Sequence, residues 1–296
     1  MNDTHAVGLR HVRGVLSIQS SVVFGHVGSS AATLPLQRLG FDVWSLPTVL
    51  FSSHTGYSGF RGSKTPLATL RELLDGLAAL GTFGCCEAVV TGYLGRPEVG
   101  SLVFDALARV REENPGALFV CDPVMGDHGE LYVHPDLVRF FRERAVPAAD
   151  LLVPNRFELG WLTDSAVESV ADALDAIDAL RSAGAGEVVA KGVVLTGASG
   201  SLEQHIVGAG PEGAWLVRAP HIARYWSGAG DTFTALLTAH RLLGLALPQA
   251  IERTAAQLHA LIALTHAQES NELRLVADGW LDAPVDPSVI VLETLR

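Results

Sequence analysis

The sequence predicts an α/β domain with a doubly wound, mostly parallel central sheet flanked by helices. Three observations carry that reading. Short apolar runs alternate with longer segments of helical period, the pattern of βαβ units. Polar clusters fall just after those runs, at the carboxyl ends of the expected strands, where such sheets bind ligands. No linker, low-complexity stretch or internal repeat divides the 296 residues. One domain over residues 14–296 is expected, behind a loose N-terminal extension over residues 1–13.

Taken in order, Val15-Leu16-Ser17-Ile18 reads as a buried strand, and Ser29-Ser30 as the cap of a helix through Leu39, closed by Gly40. Val43 to Phe51 is extended. Ser52 to Lys64, polar and glycine-containing, reads as an irregular flap. Thr65-Pro66 offers a capping hydroxyl and a first-turn proline for a helix to Leu80. Ala88-Val89-Val90 is the third strand, followed by a helix over Glu98–Arg111. Leu118-Phe119-Val120-Cys121 and Leu151-Leu152-Val153 are the fourth and fifth strands, separated by a helix over Asp136–Arg144. Helices over Arg156–Leu162 and Val167–Ala183 precede another strand within Val188–Leu195. Ile206-Val207 and Trp215-Leu216-Val217 form a hairpin about Gly210-Pro211-Glu212-Gly213. Two long helices follow Gly228, and Val289–Leu292 is a last strand.

With 48% hydrophobic and 18% charged residues the chain can bury a large core. A net charge of −11 argues against a nucleic-acid surface while leaving local amides free to hold an anion. Three cysteines without a C-x-x-C pair fit a reduced, cytoplasmic protein. The eleven histidines show no zinc-ligand spacing, and no apolar segment reaches membrane-spanning length. The first dozen residues lack the apolar core of a signal peptide.

Four clusters carry chemistry. In Ser227-Gly228-Ala229-Gly230-Asp231-Thr232-Phe233 a glycine-rich turn opens a helix. Such a turn offers free amides backed by the helix dipole to an anion, with Asp231 beside it as a proton acceptor; the plainer alternative is a turn and a cap. Asp122 and Asp127, five apart in a post-strand loop, suit Mg²⁺, or else a proline turn with solvated acids. Asn155 and Glu158 have capping-box spacing. Ser20, Thr55 and Tyr93 place hydroxyls and a ring near strand ends, as a small polar heterocycle would require or as ordinary loop residues would.

The ordered set Ile18-Gln19-Ser20, Gly25-His26-Val27-Gly28, Phe51-Ser52-Ser53-His54-Thr55, Thr91-Gly92-Tyr93, Asp122-Pro123-Val124-Met125-Gly126-Asp127, Val153-Pro154-Asn155 with Glu158, and Gly228-Ala229-Gly230-Asp231 resembles the pyridoxal kinases of the ribokinase superfamily. The resemblance runs from about residue 14 to residue 245 and implies a ribokinase-like fold. It implies phosphorylation of the 5′-hydroxymethyl group of pyridoxal by ATP, giving pyridoxal 5′-phosphate and ADP. By position, it implies that Asp231 is the catalytic base and that the amides of Gly228, Ala229 and Gly230 are its anion hole. Asp122, Asp127 and Glu158 correspond to residues near the phosphates, with Asp127 and Glu158 toward Mg²⁺ and a monovalent cation. Thr196 and Val153 fall at nucleotide-side positions. Ser20 and Thr55 match pyridoxal-bonding positions, and Val27, Val49 and Tyr93 match pocket walls. A homodimer is implied by the resemblance alone.

The chain departs from the family pattern in several places. Ser21 stands where His is frequent, Ser29 and Ser53 where Asn is, and Leu50 where Gln is. Val153 lacks a small or hydroxylated side chain, and no cysteine follows Gly129. A hydroxymethylpyrimidine kinase of the same superfamily is the nearest competing reading, and a non-catalytic B6-binding protein a more distant one. A sugar kinase lacks its acidic pair near the N-terminus. A hydride-transfer enzyme lacks its G-x-G-x-x-G after the first strand.

Overall fold

The computed structural model describes residues 11–127, 129–196 and 200–296. Its first strand, β1 (Gly14–Val22), shows why the sheet forms where it does. Val15 packs into one apolar cluster while Leu16 and Ile18 pack into another, all fully buried. Alternate side chains thus enter cores on opposite faces, as a strand covered on both sides requires.

Among the described residues, ten strands form one sheet in the order β12-β11-β10-β9-β8-β5-β4-β1-β2-β3. These are β2 (Asp42–Phe51), β3 (Gly62–Lys64), β4 (Cys86–Thr91), β5 (Leu118–Cys121), β8 (Leu151–Leu152), β9 (Glu187–Thr196), β10 (Leu202–Gly210), β11 (Gly213–Pro220) and β12 (Val291–Thr294). From β2 through β9 the neighbours are parallel; β3 and the β10–β12 end are antiparallel. β6 (Gly126–Asp127) and β7 (Glu130–Leu131) form a separate small hairpin. The fold is the expected single α/β domain. Residues 1–10 of the expected extension lie outside the described residues.

The helices are α1 (Ser29–Arg38), α2 (Leu67–Ala79), α3 (Glu98–Glu113), α4 (Pro135–Phe140), α5 (Val146–Ala148), α6 (Arg156–Thr163), α7 (Val170–Ser182), α8 (Ala229–Leu242) and α9 (Leu247–Ala267). Several boundaries differ from the sequence reading. β1 continues to Val22 because Gln19 to Val22 still pair with β2 past a bulge. Ser29 and Ser30 do not cap α1. Ser29 Oγ meets Ser17 Oγ at 3.3 Å, and Ser30 Oγ donates to the Val22 carbonyl at 2.9 Å. Thr65 does not cap α2 either, since its hydroxyl donates to the Pro47 carbonyl at 2.6 Å. The expected flap ends in β3, which pairs with β2. The helix expected over Asp136–Arg144 passes through a π-helical turn (Phe141–Ala145). The last strand lies two residues later than expected.

Candidate functional site

The site is assembled at the start of α8. Gly228, its N-cap, has φ of +84°, and a Cβ there would lie 1.7 Å from the His26 carbonyl oxygen. Only glycine lets the β1–α1 loop and the α8 turn touch backbone to backbone. The amide of Ala229 donates to the Trp226 carbonyl (3.3 Å), so it is not free for an anion. The amides of Gly228 and Gly230 have no backbone acceptor among the described residues, and the α8 dipole stands behind them.

Asp231 follows in the first helical turn. Its carboxyl accepts the Gly28 amide, and its pKa is pushed up to about 6. Burial is the main cause and nearby Asp122 the second; the Gly28 amide and Lys191 oppose them. Gly28 in turn lies against Ser20, because a Cβ on Gly28 would be 2.4 Å from Ser20 Oγ. Ser20, Gly28 and Asp231 therefore form a continuous row from the end of β1 to the start of α8.

Beneath the glycine turn lies a charge pair that sequence reasoning missed. Lys191, on β9, donates to Asp122 Oδ2, as does Thr234 Oγ1 of α8 at 2.6 Å. Lys191 and Asp122 are 8% and 2% exposed, so the charges are screened little. Gly230 packs over the lysine, with its Cβ position 3.4 Å from Lys191 Cε. Among the described residues Asp122 Oδ1 is buried without a partner. The signal was a lone lysine inside the apolar run Val188-Val189-Ala190-Lys191-Gly192-Val193, since a fully paired strand seldom buries an ammonium without a reason.

Glu158 is 1% exposed and forms the expected capping box with Asn155. Its Oε2 accepts the Asn155 amide (2.8 Å), and its Oε1 reaches across to the Met125 amide (3.1 Å). Burial first, then Asp122, pushes its pKa up. Asp127 lines the same cleft. The phenols of Tyr225 and Tyr132 are both raised, by partial burial first and then by Glu158, Asp231 and Asp127; more than half of each residue stays exposed, and the same three acids act on both. The four acids of the sequence motifs therefore act on one space. Among the described residues no three of His, Cys, Asp and Glu form a closed metal cage.

These groups border a cleft of about 1240 Å³. Its lining combines Asp122, Asp127, Glu158, Lys191, Gly228 and Asp231 with apolar Ile222, Leu258 and Ile262. Two nucleotide-side expectations do not reach it. Val153 is fully buried in the core with Phe233, and Thr196 is exposed at the end of β9, ahead of residues 197–199, which lie outside the described residues.

The residues that the resemblance assigns to the acceptor lie outside that cleft. Ser20 is buried, Val49 is fully buried, Val27 and Tyr93 are half-buried, and Thr55 is exposed. The Tyr93 ring lies 6.3 Å from that of Tyr132. Beside Thr55, His54 Nδ1 is 3.5 Å from Ser227 Oγ, which brings the flap to the residue before Gly228. Among the described residues no helix is long and apolar enough to cross a membrane.

The chain is similar to known proteins. The family model for phosphomethylpyrimidine kinase matches residues 70–274. The chain is 44% identical over 264 residues to pyridoxal kinase PdxY of Rubrobacter xylanophilus, covering 89% of this chain and 91% of that one. It is 43% identical over 280 residues to pyridoxal kinase PdxY of Deinococcus radiodurans, covering 92% and 94%. The fold superposes with a TM-score of 0.85 on pyridoxal kinase from Leishmania donovani in complex with ADP and pyridoxine, at 30% identity, over 96% of this chain and 99% of that one. With a family model across most of its length and relatives at this identity, the chain belongs to the pyridoxal kinases within the phosphomethylpyrimidine kinase family.

Proposed function

We propose that this chain transfers the γ-phosphoryl group of ATP to the 5′-hydroxymethyl group of pyridoxal, giving pyridoxal 5′-phosphate and ADP. The observation that carries the reading is the row Ser20–Gly28–Asp231, which sets an acid of raised pKa between a polar acceptor pocket and an anion-binding turn. The relatives' names and the ADP and pyridoxine of the Leishmania structure support it. Asp231 accepts the alcohol proton as attack proceeds, and the amides of Gly228 and Gly230 with Lys191 take up charge on the transferring group.

Mg²⁺ would neutralise phosphate charge. The donor set fits, because Mg²⁺ is commonly held by one or two carboxylates together with phosphate oxygens and water. Asp127 on the cleft wall and the unpartnered Oδ1 of Asp122 are such donors, with Glu158 behind them. A monovalent cation beside the phosphates belongs to the same reading. Residues 14–296 act as the one catalytic domain, and the unpaired state of Cys85, Cys86 and Cys121 supports a cytoplasmic setting. The exposed Val23, Phe24 and Leu50 beside β2 supply apolar surface for a homodimer.

The test is direct detection of product after incubation with ATP–Mg²⁺ and pyridoxal, pyridoxine, pyridoxamine or hydroxymethylpyrimidine. The family model favours keeping the pyrimidine as the second reading. Wild type that prefers it overturns the pyridoxal assignment and leaves the kinase standing.

Two substitutions probe the assigned roles. Ser20→Ala removes one hydrogen bond to the acceptor, worth roughly 0.5–1.5 kcal/mol, so kcat/KM for pyridoxal should fall a few-fold to tenfold while ATP affinity holds. An unchanged kcat/KM for pyridoxal rejects that contact. Glu158→Gln should raise the Mg²⁺ requirement more than the pyridoxal KM. It also leaves one carbonyl acceptor for the two amides of Asn155 and Met125, which lowers the melting temperature, while loss of a buried carboxylate of raised pKa offsets part of that drop. A lowered melting temperature with an unchanged Mg²⁺ titration confines Glu158 to the cap.

A further inference from the structure

The segment following α9 reaches back to the acceptor side of the site, and one carboxylate makes the connection. Glu272 Oε1 accepts from Tyr57 Oη at 2.7 Å and lies 2.9 Å from His54 Nε2, both on the 52–61 flap. Its Oε2 accepts the His26 amide at 2.9 Å, on the β1–α1 loop, and a Cβ on Gly25 would come within 2.8 Å of it. The carboxylate itself is held in place. Ser270 Oγ donates to the Glu272 carbonyl at 2.6 Å, and Trp226 Nε1, two residues before Gly228, donates to the Ser270 carbonyl at 3.1 Å. The side chain is 13% exposed, so these are charge-assisted bonds in a poorly screened place.

The flap carries Thr55 and the loop carries Val27; besides β2 pairing, the flap is held by the Tyr57 ring 5.7 Å from Phe24, the Phe60 ring 5.2 Å from Phe51 and the His54–Ser227 approach, while Thr55, Gly56, Ser58, Gly59, Phe60 and Arg61 are all exposed. We propose that Glu272 is a positioning residue that clamps the 52–61 flap onto the β1–α1 loop and so fixes the acceptor pocket, without itself touching substrate or nucleotide. The clamp joins three segments distant in sequence at a point on the acceptor side of Asp231. The nucleotide cleft is walled by α6, β9, β10, residues 219–226, α8 and α9; Trp226 joins the clamp segment only at the Ser270 carbonyl and not at the Glu272 carboxylate, so loss of the carboxylate acts first on acceptor binding. The inference rests on the acceptor assignment made above.

The experiment compares wild type, Glu272→Ala, Glu272→Gln and Tyr57→Phe. It measures KM for the alcohol acceptor, KM for ATP, and the rate of limited trypsin cleavage after Arg61 and Lys64 in the unliganded protein. Glu272→Ala should raise the acceptor KM about tenfold or more, leave the ATP KM within about twofold, and speed cleavage about tenfold. Tyr57→Phe, which removes one donor, should show a few-fold change in each. Glu272→Gln, which keeps one carbonyl acceptor, should fall between wild type and alanine. The inference stands only if acceptor KM and cleavage both move. Either one unmoved, or both KM values rising together as for general loosening, overturns it. If Glu272→Ala does not fold, Tyr57→Phe combined with His54→Gln carries the same comparison. The cleavage measurement uses no substrate, and acceptor KM is read with whichever alcohol wild type phosphorylates, so a wrong pyridoxal assignment is distinguishable from a wrong clamp.

Discussion

Asp231→Asn should lower kcat by on the order of 10²-fold or more at saturating ATP and pyridoxal, because general-base help is of that size. ATP affinity should change little, since the amides of Gly228 and Gly230 are backbone groups that the substitution leaves in place. The wild-type pH profile gives an independent reading of the same group. A base must be ionised to act, and the Asp231 pKa is raised to about 6, so activity should fall as pH drops through about 6. The profile of the asparagine variant should lack that limb.

The linkage has the opposite sign for stability. An acid whose folded pKa lies above its unfolded value binds its proton more tightly in the folded state. Ionised Asp231 therefore opposes folding at neutral pH, and that cost is relieved as pH falls through about 6. Asp231→Asn should accordingly melt no lower than wild type at pH 7 to 8. Near-normal kcat, or a variant that loses activity only because it unfolds, would remove Asp231 from the chemistry.

Lys191→Met should be the most destabilising of the substitutions considered. It leaves the Asp122 carboxylate buried with Thr234 as its sole remaining donor among the described residues, and breaking a buried pair from one side typically costs on the order of 3–5 kcal/mol. The double variant Asp122→Asn with Lys191→Met should recover much of the lost melting temperature, since both charges are then gone. Activity should stay low in both, because the positive charge under the glycine turn is missing in each. A single variant that melts like wild type would show that the pair is not the buried, mutually dependent unit described here. Recovery of activity in the double variant would separate Lys191 from phosphoryl transfer.

Features set by near neighbours were legible in the sequence. The alternation of Val15 with Leu16 and Ile18 reads directly as a strand between two cores. The hairpin closed by Gly210 and Gly213, and the capping box of Asn155 and Glu158, are local and appear as expected. The failures have one physical cause. A hydroxyl at a helix start caps it only when no better partner is near, and Ser29, Ser30 and Thr65 find theirs on β1 or β2, which only the folded sheet brings close. Lys191 meets Asp122 from 69 residues away, and Glu272 meets His54 from 218 residues away. No window along the chain holds both members of either pair. Val153 occupies a motif position whose side chain points into the core, so position along the chain misjudged what it faces.

The contact between Gly228 and the His26 carbonyl sets a limit on redesign. Two peptide groups already touch where the acceptor loop meets the α8 turn, so their separation is the thickness of backbone itself and is the same whatever side chains surround it. An effort to admit a bulkier alcohol by displacing the β1–α1 loop outward would open a gap at Gly228. It would also pull the Gly28 amide away from the Asp231 carboxyl, raising its pKa further, and so would detune the proposed base as the pocket widened. Room for a new substrate has to be carved from side chains of the proposed acceptor pocket such as Val27 and Tyr93, which leave the shared backbone contact untouched. Selectivity and proton transfer can then be varied one at a time.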